Sequence, residues 1–384
     1  MKKVLLSGAA AAALAFASTP AMAGDGVIDL ELGGFFKAYG VYNNTDDDFG
    51  GVGNGADRRE FDLRRSGLIS FSGEATLDNG LTVGAVIEME TEDSTNNKGS
   101  NIDHGTFDSA FEESYIYFSG GWGRFNVGNE DGAGYLLQVA APSADHNIDG
   151  VRQNISSFQY LGAGPTADRL DYAMDTTWGA EKLTYLTPKF SGFQAGISYT
   201  PEVFKADGIN DAVAGMDTDN DTGDFEHGVE LAARWDGEFE DVTIGVGAGY
   251  SHASEEVANP GVTDDWEQWN VALDLNFMGF GLGGAYMKDN NGLDSSDTKV
   301  WVVGVDWENG PYTLGLSYMD RNDEAGSILG GVAGAEVDHT RVTGGGSYAY
   351  GPGMSFRGSV SWVNQDNTAL DNDAWQVAIG TDIT

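Results

Sequence analysis

Cysteine is missing from this 384-residue chain, and lysine and arginine together number only 20 against 60 aspartates and glutamates. The first absence excludes disulfide scaffolds, thiolate metal sites and cysteine catalysis. The second, with a formal charge of -40, excludes a nucleic-acid partner, because a polyanion would be repelled. Past the N-terminus no run of 18 or more apolar residues occurs, so no transmembrane helix is available. Proline is also scarce, 8 residues against 56 glycines, yet no segment repeats a short unit.

The N-terminus itself reads as a secretory signal. Lys2 and Lys3 precede a stretch rich in Ala and Leu, which runs into Ala21-Met22-Ala23. Residues 1–23 are therefore expected to be a signal peptide, and residues 24–384 the exported chain.

What recurs beyond it is alternation. In "GLISFSGEATLDNGLTVGAVIEMET", Gly67 to Thr91, Ile69, Phe71, Ala75 and Leu77 share one parity and Ser70, Ser72, Glu74 and Thr76 the other. After Asp78-Asn79-Gly80 the pattern resumes with Leu81, Val83, Ala85, Ile87 and Met89. A period of two describes a hairpin with one apolar and one polar face; a helix needs apolar residues three and four apart. Val242 to Ser251 and Gln268 to Phe277 repeat it.

Short turns fall at Asp78–Gly80, Gly120–Gly123, Lys189–Gly192, Gly237–Asp241, Met278–Gly279, Asn309–Pro311 and Gly351–Gly353. Seven hairpins, with one strand near Val27–Tyr42 and another near Ala374–Ile383, predict sixteen strands. Four apolar faces carry aromatics six residues apart: Phe193 and Tyr199, Phe280 and Tyr286, Tyr312 and Tyr318, Phe356 and Trp362. On a strand tilted by about 40° that spacing rises roughly 16 Å, which suits two aromatic rows within an apolar band about 25 Å tall. A soluble sandwich also alternates, but its polar face meets solvent and carries long charged residues. Here the polar parity is mostly Gly, Ser, Thr and Asn, and the long connections all lie at one end. The fold class expected is all-β: a transmembrane antiparallel β-barrel of 16 strands with its polar face inside.

"EKLTYLTPKFSGFQAGISYTP", Glu181 to Pro201, and "GWGRFNVGNEDGAG", Gly121 to Gly134, together with the signal peptide and this layout, resemble the general diffusion porins of Gram-negative outer membranes, most of all those of alphaproteobacteria. The resemblance implies a sixteen-stranded barrel, a homotrimer, and a third long loop folded into the lumen. Such porins end on an aromatic residue, whereas this sequence ends Asp382-Ile383-Thr384. Because Trp375, Val377, Ile379 and Ile383 have outward parity, a terminal Phe or Trp at position 385 is expected.

Between Gly128 and Trp178 lies a long segment without strand character, and a structureless stretch of that length is usually functional or disordered. Folded inward, it would bring Glu130, Asp131, Asp145 and Asp149 into the pore and lay Ala140, Ala141 and Ala144 against the wall. Wall bases of lumenal parity are Lys37, Arg64, Arg124, Arg234, Arg341 and Arg357, with Arg58 in the same crowded "RREFDLRR". Acids on the loop facing bases on the wall would set a transverse field across the narrowest water. The alternative is that these charges merely solvate a wide lumen. Arg65 has lipid-facing parity, which calls for a subunit interface, a nearby bulge or snorkelling.

"DTDNDTGD", Asp217 to Asp224, has alternate carboxylates, but Thr222 and Gly228 stand where an EF-hand needs Gly and Glu. An irregular calcium site at Asp217, Asp219 and Asp221 competes with a solvated acidic loop. His104, His146, His227, His252 and His339 sit in no nucleophile motif, so no enzyme is expected. The reading is a passive channel for small hydrophilic solutes and ions, modestly cation-selective and without a cofactor, in contact with outer-membrane lipid and lipopolysaccharide. A channel specific for a sugar or small anion, or a non-conducting surface barrel or adhesin, are the alternatives.

Overall fold

The computed structural model describes residues 29–45, 60–91, 111–156, 170–177, 179–204, 223–324, 336–367 and 371–384. The expected signal peptide, Arg58, and the calcium candidates Asp217, Asp219 and Asp221 lie outside the described residues.

The first strands are β1 (Asp29–Thr45), β2 (Phe61–Thr76), β3 (Thr82–Thr91), β4 (Phe111–Gly120) and β5 (Gly123–Asn129). Two single-turn helices follow, α1 (Ala133–Leu136) and α2 (His146–Asp149). Then come β6 (Glu181–Leu186), β7 (Phe193–Phe204), β8 (Phe225–Phe239), β9 (Val242–Glu255), β10 (Trp266–Phe277) and β11 (Phe280–Asp289). The last five are β12 (Asp297–Asn309), β13 (Tyr312–Glu324), β14 (Glu336–Gly351), β15 (Met354–Asn367) and β16 (Asp371–Ile383). Every neighbour pair is antiparallel, and β1 joins β16 to close a barrel. Closure pairs the edge strands, so every strand's backbone groups find partners within the sheet.

All seven expected hairpin turns are present. At the turn between β10 and β11 both Met278 and Gly279 have positive φ (50° and 84°), as a type I′ turn requires to match strand twist.

The faces are inverted relative to a water-soluble protein. On β10 the apolar Trp269, Val271 and Leu273 are exposed, while Gln268, Asn270 and Asp274 point inward and are buried. The same inversion runs along β13 and β16. An exposed apolar exterior is stable only against hydrocarbon, which fixes the outside of this barrel as its lipid face. Two aromatic rows ring it. Tyr312 and Tyr348 stack at 5.1 Å in one, and Tyr286 lies 5.1 Å from Trp269 and 4.4 Å from Trp301 in the other. No described helix is long and apolar enough to cross a membrane, which bears on helical crossing alone.

The inner wall corrects one expectation. It is not uniformly polar: Ala272, Ala285, Met287, Val300, Val302, Met319, Val363 and Ala374 form a buried apolar patch on its β10–β16 arc. Their cover is the connection from β5 to β6.

Candidate functional site

That connection, residues 130–180, contacts inward-facing wall residues at several points, beginning with its seat. Val139, Ala141, Val151, Leu170, Tyr172 and Ala173 pack on the apolar patch of β10–β16. Where the loop backbone itself arrives, the wall is glycine. A Cβ on Gly304 would collide with the carbonyl of Pro142, and one on Gly315 with the carbonyl of Ser143. Gly247, Gly283, Gly304 and Gly315 are thus places cleared for the loop.

The second attachment lies where the first and last strands meet. Tyr39 on β1 donates its hydroxyl to the Asp145 carboxylate at 3.1 Å. Asn147 donates Nδ2 to Tyr39 Oη at 2.8 Å and to Asp382 of β16 at 3.0 Å. Arg357 of β15 donates Nε to Asp382 at 2.6 Å and places Nη1 3.6 Å from Asp145. Ile148 and Ile155 pack with Tyr39, Val41 and Ala378 beneath this group. The tyrosine ring lies flat on Gly380, where a Cβ would strike it. The loop therefore straps the β1–β16 seam from inside.

The remaining acids are also engaged. Asp149 accepts hydrogen bonds from the backbone of Ala144 and Asp145, both at 2.8 Å, and from Ser317 Oγ at 2.5 Å. Arg341 donates Nη1 to the carbonyls of Ile148 and Leu170. Asp131 pairs with Arg152 at 2.9 Å, whose guanidinium lies 4.0 Å over the Tyr135 ring. Glu130 accepts from Asn126 Nδ2, and its carbonyl accepts from Lys182 Nζ. Glu230, of lumenal parity on β8, is buried and accepts from the Gly134 amide at 2.7 Å and from Thr177.

The loop acids were expected to face the wall bases across open water. In the structure Asp145 and Asp149 are 1% exposed, and Glu130 and Asp131 are buried as well. Their partners are donors within the seam between loop and wall, so their charge fastens the loop and does not line a water column. Burial pushes the Asp145 carboxyl up to about 6, although Arg357 pulls the other way. Burial likewise pushes Glu130 up to about 7 and raises Asp149.

Among the wall bases, Lys37 is buried with its ammonium 4.3 Å over Phe35, and Arg64 approaches Asp62 at 3.4 Å. Arg124 lies 3.9 Å over the ring of Tyr117 and donates to Asn126 at 2.6 Å. Arg234 is paired with Asp236 at 2.8 Å. Of the expected bases, Arg357 reaches an expected loop acid, with Nη1 3.6 Å from Asp145. Tyr39, Asn147 and Asp382 escaped the sequence reading; a lone inward-parity tyrosine beside glycine was the available signal for the first, and none marked the other two.

Comparison with known proteins agrees with this geometry. The family described as Gram-negative porin matches residues 9–368. An uncharacterized protein of Rickettsia prowazekii (strain Madrid E) is 24% identical over 55% of this chain and 54% of its own length. A second, from Rickettsia felis, is 28% identical over 27% of each chain, so the match spans about half or less of these relatives. Among solved structures, an anion-selective porin from Comamonas acidovorans shares the fold with a TM-score of 0.58, at 15% identity over 92% of this chain and 99% of that one. Salmonella typhi OmpF, in complex with daunomycin, gives 0.58 at 16% identity over 93% and 98%. The trimer form of Vibrio cholerae OmpT gives 0.56 at 13% identity over 92% and 99%.

Proposed function

Because the chain belongs to the Gram-negative porin family, we propose that it is a passive outer-membrane channel for small hydrophilic solutes and ions, exported by its N-terminal signal and working as a homotrimer without a cofactor. The observation that carries this reading is the unequal inner wall. On β10–β16 inward side chains such as Gln268, Val302, Met319 and Arg341 are buried against the loop, whereas on β1–β5 Glu31, Asp62, Arg64, Ser70, Ser72, Glu74, Glu88 and Glu90 keep solvent exposure. Water and solutes pass along this second arc, beside the seated loop. Diffusion down a gradient asks for no catalytic group, and the buried His339 is spent within the wall, 3.3 Å from Gln365 and 3.7 Å from Asp323.

The accessible arc is also acidic. Glu31, Asp62, Glu74, Glu88 and Glu90 outnumber Arg64 and Arg124, the accessible bases there. In a passage narrower than the screening length of about 10 Å at 0.1 M salt, mobile cations are enriched. The preference fades toward 1 M, where that length is about 3 Å. The test is the reversal potential of single channels across a tenfold KCl gradient. Neutralising Glu31 and Glu88 lowers cation preference, and neutralising the buried Asp145 and Asp149 changes it little. An anion-selective sign at low salt would reject the preference and favour a small-anion channel; absence of conductance in a correctly inserted barrel would reject the channel.

A further inference from the structure

On the outer face at the long-loop end, Lys288 of β11 stands directly across the ladder from Lys299 of β12. Like charges in register repel, and such pairs cost stability unless an anion lies between them. Asp297 does so within the chain, 2.9 Å from Lys288 and 3.7 Å from Lys299, and Glu324 is 2.7 Å from Lys299. Each ammonium carries three donors, so these contacts leave donors on both, and each lysine side chain is 35% exposed.

The surroundings define what could take those donors. Immediately toward the membrane lie the rings of Trp269, Tyr286 and Trp301, the row that marks the boundary between hydrocarbon and headgroups. The rest of this outer rim is acidic: Glu267, Asp320, Glu336, Asp338, Asp371 and Asp373 all have outward parity. From β7 to β16, no other described lysine or arginine faces outward at the long-loop end. An anionic headgroup approaching this arc is repelled except at one place.

We infer that Lys288 and Lys299 form a phosphate site for an outer-leaflet glycolipid, whose acyl chains lie along the Trp269–Tyr286–Trp301 face while its phosphate bridges the two ammonium groups. This rests on the outer-membrane reading, which sets the long-loop end at the cell surface. Here the protein itself supplies the cations that meet the phosphate.

The test uses the full chain reconstituted in phosphatidylcholine vesicles doped with bis-phosphorylated lipid A, or with the same lipid stripped of phosphate. Copies retained after extraction are counted by native mass spectrometry in the presence of a chelator. The wild type retains the phosphorylated lipid preferentially. Lys288→Gln with Lys299→Gln lowers retention roughly tenfold or more, since each lysine near an anionic surface contributes appreciably. Asp297→Asn with Glu324→Gln frees the ammonium groups and raises it. Equal retention of both lipids, or no change in the lysine variant, overturns the site. Single-channel conductance separates the two failures: a variant that conducts normally yet retains lipid A unchanged sinks only this site, whereas a wild type that neither inserts nor conducts sinks the channel reading.

Discussion

Replacing Asn147 by Ala removes one small side chain yet unties the loop from two strands at once. Its Nδ2 donates to Tyr39 Oη at 2.8 Å and to the buried Asp382 carboxylate at 3.0 Å. A hydrogen bond to a charged group contributes about 1.5–3 kcal/mol, and a carboxylate left short of a donor in the interior cannot recover it from water. Each 1.4 kcal/mol is a factor of about ten in population, so the undocked share of the loop rises roughly 10- to 100-fold. Arg357→Gln goes further, leaving both Asp145 and Asp382 without their cation at a cost of about 3–5 kcal/mol. Single-channel recording reads the first consequence, as longer visits to a wider conductance level. The second is a lower temperature for unfolding the barrel, read by the mobility shift of unheated samples, because the strap spans the seam where β1 meets β16. Unchanged dwell times and unchanged melting in Asn147→Ala, or a larger effect from Asn147→Ala than from Arg357→Gln, would refute the reasoning.

Acidification steadies the loop: the Asp145 and Glu130 carboxyls, at about 6 and about 7 when docked, lie above their ordinary 3.8 and 4.5. Docking therefore binds protons, its extra stability is complete below about 4, and it is lost as pH rises through 6 to 7. Current fluctuations are accordingly quieter at low pH, and Asp145→Asn weakens that dependence; equal noise across this range counts against it. Gly304→Ala puts a methyl group where the Pro142 carbonyl sits, so the loop is displaced and conductance rises, whereas Gly310→Ala, at a turn open to solvent, leaves conductance alone. Arg65 is exposed on the outer face between Leu63 and Ile69, and a charge at bilayer mid-depth costs roughly 2–4 kcal/mol. Arg65→Leu therefore weakens the trimer if this face is a subunit contact; a trimer of undiminished heat stability rejects that placement.

The strands were legible because their information is local. A period of two places Val271 and Leu273 opposite Asn270 and Asp274 whatever the rest of the chain does, and Asp78-Asn79-Gly80 or Met278-Gly279 turns the chain within a few residues. Counting such turns was enough for sixteen strands and for which parity faces lipid. The inner parity was legible only as small and polar; that Gly247, Gly283, Gly304 and Gly315 seat a loop, and that its β10–β16 arc is apolar, needed the two surfaces to be brought together. The loop acids show the same limit. Their placement on the loop could be read, but Asp145 and Asp149 could not be known to be buried, because their partners come from β1, β13 and β15. Asn147 and Asp382 are 235 positions apart, and no periodicity connects them. Alternation follows from the geometry of a single strand, while the strap across the seam depends on ring closure, in which the register of all the intervening strands sets where β1 meets β16.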